Sequence, residues 1–177
     1  MIISLGNELT LKERFCIRED GAPIVRCAVS YTEFEGAEKY NALYAKISSN
    51  CSRWAREVLA KRARAEYLAD PDEEKRFHFR CYEYSFSSYV SGENDEVLCV
   101  INDACLSRRG EGRRIELCRS SQLWRRRDLA LLPDVYVLPK SKRRYFAKLR
   151  ATGIFLRGAV IYAFGGGASD YWEERLN

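Results

Sequence analysis

The chain has 177 residues, of which 46% are hydrophobic and 12% aromatic, values typical of a folded globular protein rather than a disordered one. This length predicts a single domain over residues 1–177, with its core at about 11–167 and a C-terminal tail at 168–177. The sequence contains no apolar run long enough to span a membrane and no basic, apolar leader at its start. We therefore expect a cytoplasmic protein whose seven cysteines stay reduced.

Positive charge is concentrated in one part of the chain. The net charge is +5, but the segment 106–150 holds fourteen Lys or Arg against four Asp or Glu, which leaves the remainder net acidic. An imbalance of this kind favours an anionic partner for the basic segment, or two faces that attract each other between copies.

The first third of the chain predicts a β-hairpin followed by one long helix. The segment 11–19 alternates in part, Asp20-Gly21 is a typical hairpin turn, and 23–34 is rich in residues that favour strands. The segment 37–69 then contains neither proline nor glycine and ends at Asp70-Pro71. Apolar residues recur through it at helical spacing, which predicts an amphipathic helix lying on a sheet. The predicted buried stripe consists of Tyr40, Leu43, Tyr44, Ile47, Cys51, Trp54, Val58 and Ala65.

The remaining two thirds predict strands and one short helix. A period of two from Phe77, followed by the apolar segments 96–106 and 113–118, predicts a three-stranded antiparallel meander. Pro139 marks the start of a helix running to Arg150, and 154–156 with 160–164 predicts a last hairpin. The spacing of Asp170 and Glu173 is typical of a short helical turn. The predicted fold class is α+β, an antiparallel β-sheet packed on one face by a long amphipathic helix plus a shorter second helix.

No set of residues predicts catalysis. His78 is the only histidine, and no Cys-x-x-Cys pair is present, which disfavours a zinc site. Gly165-Gly166-Gly167 follows a strand but lacks the Lys-Ser or Lys-Thr of a phosphate-binding loop. We therefore predict no enzyme activity, no cofactor and no metal, with an unrecognised nucleophilic thiol as the open alternative.

The basic residues form clusters beside aromatic side chains, an arrangement that suits a phosphate backbone with stacked bases. None of the recognised nucleic-acid-binding motifs is present, however. We predict binding to another protein or acidic macromolecule, with nucleic acid as the alternative; the oligomeric state stays open. The candidate binding residues are Arg108, Arg109, Arg113, Arg114, Arg125, Arg126, Arg127, Lys142, Arg143 and Arg144.

The order of these elements resembles the RsiV-like domain of bacteria. The resemblance covers roughly residues 11–167 and depends on the strand pair, the long helix starting with Tyr40-Asn41, the aromatic strand Tyr82-Glu83-Tyr84-Ser85-Phe86 and the late Phe155-Leu156-Arg157-Gly158-Ala159-Val160-Ile161-Tyr162. That family includes the sensor part of the anti-sigma factor RsiV and a domain attached to some peptidoglycan deacetylases. The resemblance implies an α+β fold with helices on one face of an antiparallel sheet, and a recognition role without catalysis.

The chain departs from the family pattern at two places and resembles a divergent, truncated-looking member. Ser107-Arg108-Arg109-Gly110-Glu111-Gly112 stands where many members have a Thr-Gly-Gly-Ala-His-Gly type of segment. The segment 165–170 replaces an ending that contains proline and tyrosine. Because these segments do not match, no binding residue of the family is carried over to this chain.

Overall fold

A computed structural model describes residues 9–72, 74, 76, 78–111 and 114–177, which form two sheets and a long helical segment. The larger sheet consists of β1 (Thr10–Glu19), β2 (Ala22–Tyr31), β3 (Tyr82–Glu93), β4 (Val97–Arg108), β5 (Arg114–Arg125) and β6 (Ala130–Leu132). The smaller sheet consists of β7 (Gly153–Arg157), β8 (Val160–Gly165) and β9 (Trp172–Arg175). The helices are α1 (Glu38–Trp54), α2 (Ala60–Ala69) and α3 (Lys140–Lys148), with a π-helical turn at Ala55–Leu59 and a 3-10 turn at Asp134–Tyr136.

This architecture confirms the predicted α+β class. The larger sheet has the strand order β1-β2-β3-β4-β5-β6, and the β3-β4-β5 meander is antiparallel as predicted. The sheet is nevertheless mixed, because β2 and β3 pair in parallel. The helical segment connects these two strands, and this crossover carries the chain from the end of β2 back to the end of the sheet where β2 begins.

The long helical segment lies on one face of the larger sheet. Tyr40 and Tyr44 of α1 and Leu59 of the π turn are almost completely buried. Asn41 fixes the approach to α1, because its side chain exchanges hydrogen bonds of 2.8 and 3.1 Å with the backbone of Phe34. The segment ends at Asp70, whose backbone is extended because a following proline disfavours the helical conformation. Within the described ranges, no helix has the length and apolarity to cross a membrane.

The predicted buried stripe is wrong in its second half. Val58 is 53% exposed, Ala65 is also exposed, and Trp54 is 36% exposed with its ring 5.0 Å from that of Tyr84. The shift begins in α1, where Ser48 and Ser52 are buried one residue beyond the predicted Ile47 and Cys51, and it continues through the π-helical turn, whose i→i+5 hydrogen bonds take up one residue more than an α turn. The positions that face the sheet therefore shift to Ala55 and Leu59.

Two strands of the meander have other bounds than predicted. β3 begins at Tyr82, so Phe79 and Cys81 precede it; the predicted start at Phe77 lies outside the described residues. β5 is longer than predicted and continues to Arg125. The longer β5 extends the meander at its Val97 end, which packs against the smaller sheet, whereas the later start of β3 shortens it at the Arg108 end.

The smaller sheet covers one end of the opposite face of the larger sheet. The core between the sheets contains Val97 and Ile101 from β4 together with Ile154 and Phe164. Two C-terminal predictions are wrong here. The predicted helical turn is strand β9, and the segment 168–177 is no peripheral tail, because Leu176 is fully buried in this core.

Candidate functional site

The predicted basic residues lie at opposite ends of the β4-β5 pair. Arg108 and Arg114 flank the hairpin at one end, whereas Arg125 pairs with Val97 at the other end. β4 has 12 residues, which corresponds to about 36 Å along the strand. Arg113 lies outside the described residues. The described basic residues of this strand pair therefore lie in two groups at its opposite ends.

Arg108 is engaged inside the fold. Its guanidinium contacts the Glu66 carboxylate and donates a hydrogen bond of 2.7 Å to the hydroxyl of Tyr82. The Tyr82 hydroxyl also lies 2.8 Å from Glu66 Oε1. These contacts attach α2 to β3 and β4, which gives Arg108 a structural role.

The cluster near the β5-β6 turn is also partly structural. Arg125 Nε lies 2.9 Å from Asp128 Oδ1. Arg126 Nη1 donates to the backbone oxygen of Asn94 at 3.1 Å and lies 3.5 Å from Glu93. These contacts fasten the β5-β6 turn internally and to the β3-β4 turn.

The other predicted residues are exposed at separate places. Arg143 Nε donates to the backbone oxygen of Leu138 at 3.3 Å, and the Lys142 ammonium lies 6.0 Å from the ring centre of Tyr145. The remaining exposed members are Arg109, Arg114, Arg127 and Arg144.

A different set of arginines converges on the sheet face that turns away from α1 and α2. Strand alternation places Arg14, Cys16 and Arg18 of β1 on this face, and all three are exposed. Arg26 of β2 lies directly opposite Cys16. Arg26 is thus a diagonal neighbour of Arg14, with about 7–8 Å between their backbones. Arg18 is its diagonal neighbour on the other side, where a β-bulge interrupts the register.

These arginines border a groove of about 650 Å³. Ala28, Ser85 and Ser107 contribute small side chains to its lining, and Glu83 is the only carboxylate among the described lining residues. The smaller sheet does not reach this end, since its larger-sheet contacts involve the Val97 end of β4. We call the site the arginine groove, with Arg14, Arg18 and Arg26 as its rim and Ala28, Ser85 and Ser107 as its floor.

The rim arginines have few partners within the described residues. No described carboxylate lies within ion-pair distance of Arg14 or Arg26, and Arg18 Nη1 donates to the backbone oxygen of Gly21 at 2.7 Å. Unpaired guanidinium groups on one face give the groove a positive potential, which attracts anionic groups.

The groove offers no aromatic platform among its described residues. Phe15 and Tyr84 belong to strands that line the groove, but their rings lie on the opposite, helix-facing side of the sheet. The centre of the Phe15 ring lies 3.7 Å from the Arg56 guanidinium, and the centre of the Tyr84 ring lies 5.0 Å from that of Trp54, with the two rings tilted by 52°. Base stacking inside the groove therefore has no evident support.

The buried thiols are poor nucleophiles. Burial raises the pKa of Cys27 to about 12, and it raises the pKa values of Cys51, Cys81, Cys99 and Cys105 as well. Cys16 and Cys118 are the exposed cysteines. In the part of the chain that the structure describes, no three His, Cys, Asp or Glu side chains gather as they would around a metal ion.

Sequence reasoning missed the rim arginines because it gave weight to consecutive basic residues. Arg14, Arg18 and Arg26 are separated along the chain and belong to two strands. The available signal was the alternation of β1, which places Arg14 and Arg18 on the same face, combined with the register of the Asp20-Gly21 hairpin.

No protein-family model matches the sequence, and no curated protein matches it. Among solved structures, the fold is similar to the crystal structure of a DUF3298 family protein from Pseudomonas aeruginosa. The two superpose with a TM-score of 0.61 over 99% of this chain and 91% of that chain, at 9% sequence identity. At this identity the likeness concerns the fold alone.

Proposed function

We propose that this chain is a non-catalytic recognition protein that binds an acidic segment of another protein in the arginine groove. The proposal depends on one observation: Arg14, Arg18 and Arg26 lie together on one uncovered sheet face, where Glu83 is the one carboxylate among the described lining residues. Guanidinium groups bind carboxylates through paired, charge-assisted hydrogen bonds. The small floor residues leave room for a peptide backbone to approach the sheet.

The expected affinity is modest and dependent on salt. An exposed ion pair contributes about 0.2–1 kcal/mol, so three such pairs together change an affinity by roughly tenfold. Their interaction with a partner weakens as ionic strength rises, because exposed charges are screened. The proposal moves the basic contact surface from the segment 106–150 to β1 and β2.

Nucleic-acid binding stays a prediction with less support. It was predicted from arginines beside aromatic residues, and the groove presents arginines without an exposed aromatic platform. Single-stranded nucleic acid binding commonly combines a basic groove with stacking on aromatic rings. The rim arginines alone favour carboxylate-bearing protein segments.

We also propose that the chain is a divergent relative of the RsiV-like domains. Support comes from the residue patterns of the helix and the aromatic strand, together with the fold-level likeness to the DUF3298 family protein. The RsiV-like resemblance implies recognition without catalysis, which agrees with the proposed role.

A titration with a fluorescein-labelled oligo-glutamate peptide tests the proposal, with a single-stranded oligonucleotide of equal charge as the comparison probe. Two triple variants lower the net charge by the same amount, so they separate a local site from overall charge. The groove variant is Arg14→Gln/Arg18→Gln/Arg26→Gln, and the control variant is Arg127→Gln/Lys142→Gln/Arg144→Gln.

We expect the groove variant to lose about tenfold in peptide affinity and the control variant to lose much less. Circular dichroism checks that both variants stay folded. Equal losses in the two variants would reject the groove, and tighter binding of the oligonucleotide than of the peptide would favour the nucleic-acid alternative.

A further inference from the structure

We infer that a cluster of polar side chains buried beneath α1 binds an ordered water molecule. The cluster consists of Tyr40 and Tyr44 from α1, Ser88 from β3, Asn102 from β4 and Trp124 from β5, and we call it the buried polar cluster. These five residues are between 0% and 8% exposed. The cluster lies on the helix-facing side of the sheet, apart from the arginine groove.

Among the described residues, four polar atoms of the cluster have no hydrogen-bond partner that satisfies both distance and angle. They are the hydroxyl oxygens of Tyr40 and Ser88, Asn102 Oδ1 and Trp124 Nε1. Buried polar atoms without any partner are rare in proteins, since each one loses its hydrogen bonds to solvent. Four of them in one place indicate a shared ligand.

The four atoms gather around the hydroxyl of Tyr44. The Tyr40 ring centre lies 4.3 Å from that of Tyr44 and 5.3 Å from that of Trp124. Ser88 and Asn102 are direct register partners on neighbouring strands. Burial raises the pKa of Tyr44 to about 12, and hydrogen-bonding interactions of its hydroxyl with Trp124, Ser88, Asn102 and Tyr40 lower it, which places these four groups within reach of that hydroxyl but not in good alignment with it.

Two neighbouring contacts fix the orientation of the cluster. The Tyr44 hydroxyl bonds to Gln122 Oε1, so its proton is already used. Asn102 Nδ2 lies 3.5 Å from Ser120 Oγ, which directs Asn102 Oδ1 inward. Gln122 is half-buried, so the cluster borders the surface on this side.

The chemistry of the four atoms selects a neutral molecule that both donates and accepts hydrogen bonds. Trp124 Nε1 can only donate, Asn102 Oδ1 can only accept, and the hydroxyls of Tyr40 and Ser88 can do either. Water supplies two donors and two acceptors, which matches this set, and buried waters typically make about three hydrogen bonds. An anion is disfavoured because it has no proton to donate to the Asn102 oxygen. A cation is disfavoured because the Trp124 N–H can only donate and cannot accept a hydrogen bond.

A high-resolution crystal structure of the chain tests the inference directly. We expect a water peak within hydrogen-bond distance of at least three of the four atoms. The inference is overturned if rotated side chains bond these atoms directly to one another and no peak lies between them.

Oxygen-17 magnetic relaxation dispersion gives a second test in solution, because it counts long-lived internal water molecules. The matched variants are Ser88→Ala/Asn102→Leu in the cluster and Ser49→Ala/Asn50→Leu on the exposed side of α1. We expect the cluster variant to lose at least one long-lived water and the control variant to keep the wild-type number. An unchanged number in the folded cluster variant contradicts the inference; if that variant does not fold, Trp124→Phe replaces it.

Discussion

Glu66 is a charged residue whose partners all lie within the fold. Its carboxylate accepts hydrogen bonds from Tyr82 at 2.8 and 3.0 Å, contacts Arg108 and lies 3.3 Å from Arg62 Nε. Burial acts to raise the pKa of Glu66, but the hydrogen bonds from Tyr82, Arg108 and Arg62 outweigh it, so the pKa is lowered. A basic residue such as Arg108 can therefore stabilise the fold without contacting any partner.

Replacing Glu66 by Gln should lower the free energy of unfolding by about 1 kcal/mol near neutral pH, because the carboxylate loses its ionic partners. A carboxylate with a lowered pKa stabilises the folded state above its unfolded pKa of about 4.3, and this contribution disappears as pH falls through the folded pKa. Urea unfolding of both proteins at several pH values measures the difference. A gap between them that stays constant down to strongly acidic pH would exclude this role of Glu66.

In the helical segment, the residues that face the core differ from those that the apolar spacing predicts. The sequence predicts the helix itself, because hydrophobic spacing and the Asp70-Pro71 stop are local signals. It does not reveal the π turn at Ala55–Leu59, since no single residue there demands an extra position in the turn. The error in the predicted stripe begins in the last turns of α1, where Ser52 is buried and Trp54 is exposed, and it continues through this turn.

Two neighbouring alanine substitutions test the shifted face. Leu59→Ala should lower the free energy of unfolding by about 2–5 kcal/mol, because Leu59 is buried in the core. Val58→Ala should change it by less than about 0.5 kcal/mol, because Val58 is largely exposed. Thermal unfolding measures both variants under the same conditions. A larger loss of unfolding free energy for Val58→Ala than for Leu59→Ala would contradict the shifted face and support the stripe that the sequence predicts.

Turns at the two ends of the chain were predictable to different degrees. Asp20 and Gly21 adopt φ values of 47° and 82°, which the Asp-Gly pair favours in two-residue hairpins. Asp170 was predicted to cap a helix, but it accepts a hydrogen bond of 2.6 Å from the Gly167 N–H in a turn before β9. The first turn is determined by its own residues, whereas β9 forms because β8 offers it a partner.

At the scale of the whole molecule, a polar network joins the two sheets. Arg119 of β5 bonds both oxygens of Asp103 at 2.6 and 2.8 Å and donates to the Tyr171 hydroxyl at 2.6 Å. The side chains of Arg119 and Asp103 are both only 16% exposed. Arg119 belongs to the basic segment by sequence, but its contacts lie inside the protein.

Arg119→Ala should lower the free energy of unfolding by about 3 kcal/mol, because it leaves the Asp103 carboxylate partly buried without its partner. Arg127→Ala, at an exposed position, is the control and should change it by less than about 0.5 kcal/mol. The double variant Arg119→Met/Asp103→Leu should recover part of the loss, since no unpaired charge remains. Urea unfolding compares the three variants, and similar stabilities for Arg119→Ala and Arg127→Ala would refute the role of the network.

The arginine groove depends on features that a single sequence specifies only in part. The alternation of β1 predicts that Arg14 and Arg18 share a face, and the hairpin predicts that β2 lies beside them. The parallel contact of β2 with β3, which brings Glu83 and Ser85 to the groove, depends on the long-range return of the chain. The open end of the groove depends further on where the smaller sheet packs.

Chemical-shift mapping by NMR tests the central claim most directly, because it locates the binding surface without prior choice of residues. Uniformly 15N-labelled protein is titrated with an unlabelled oligo-glutamate peptide. We predict that the largest shifts occur at β1, β2 and the start of β3, around Arg14, Arg18, Arg26 and Ser85. Largest shifts within 106–150, or equal small shifts at every exposed basic residue, would contradict the arginine groove as the binding site.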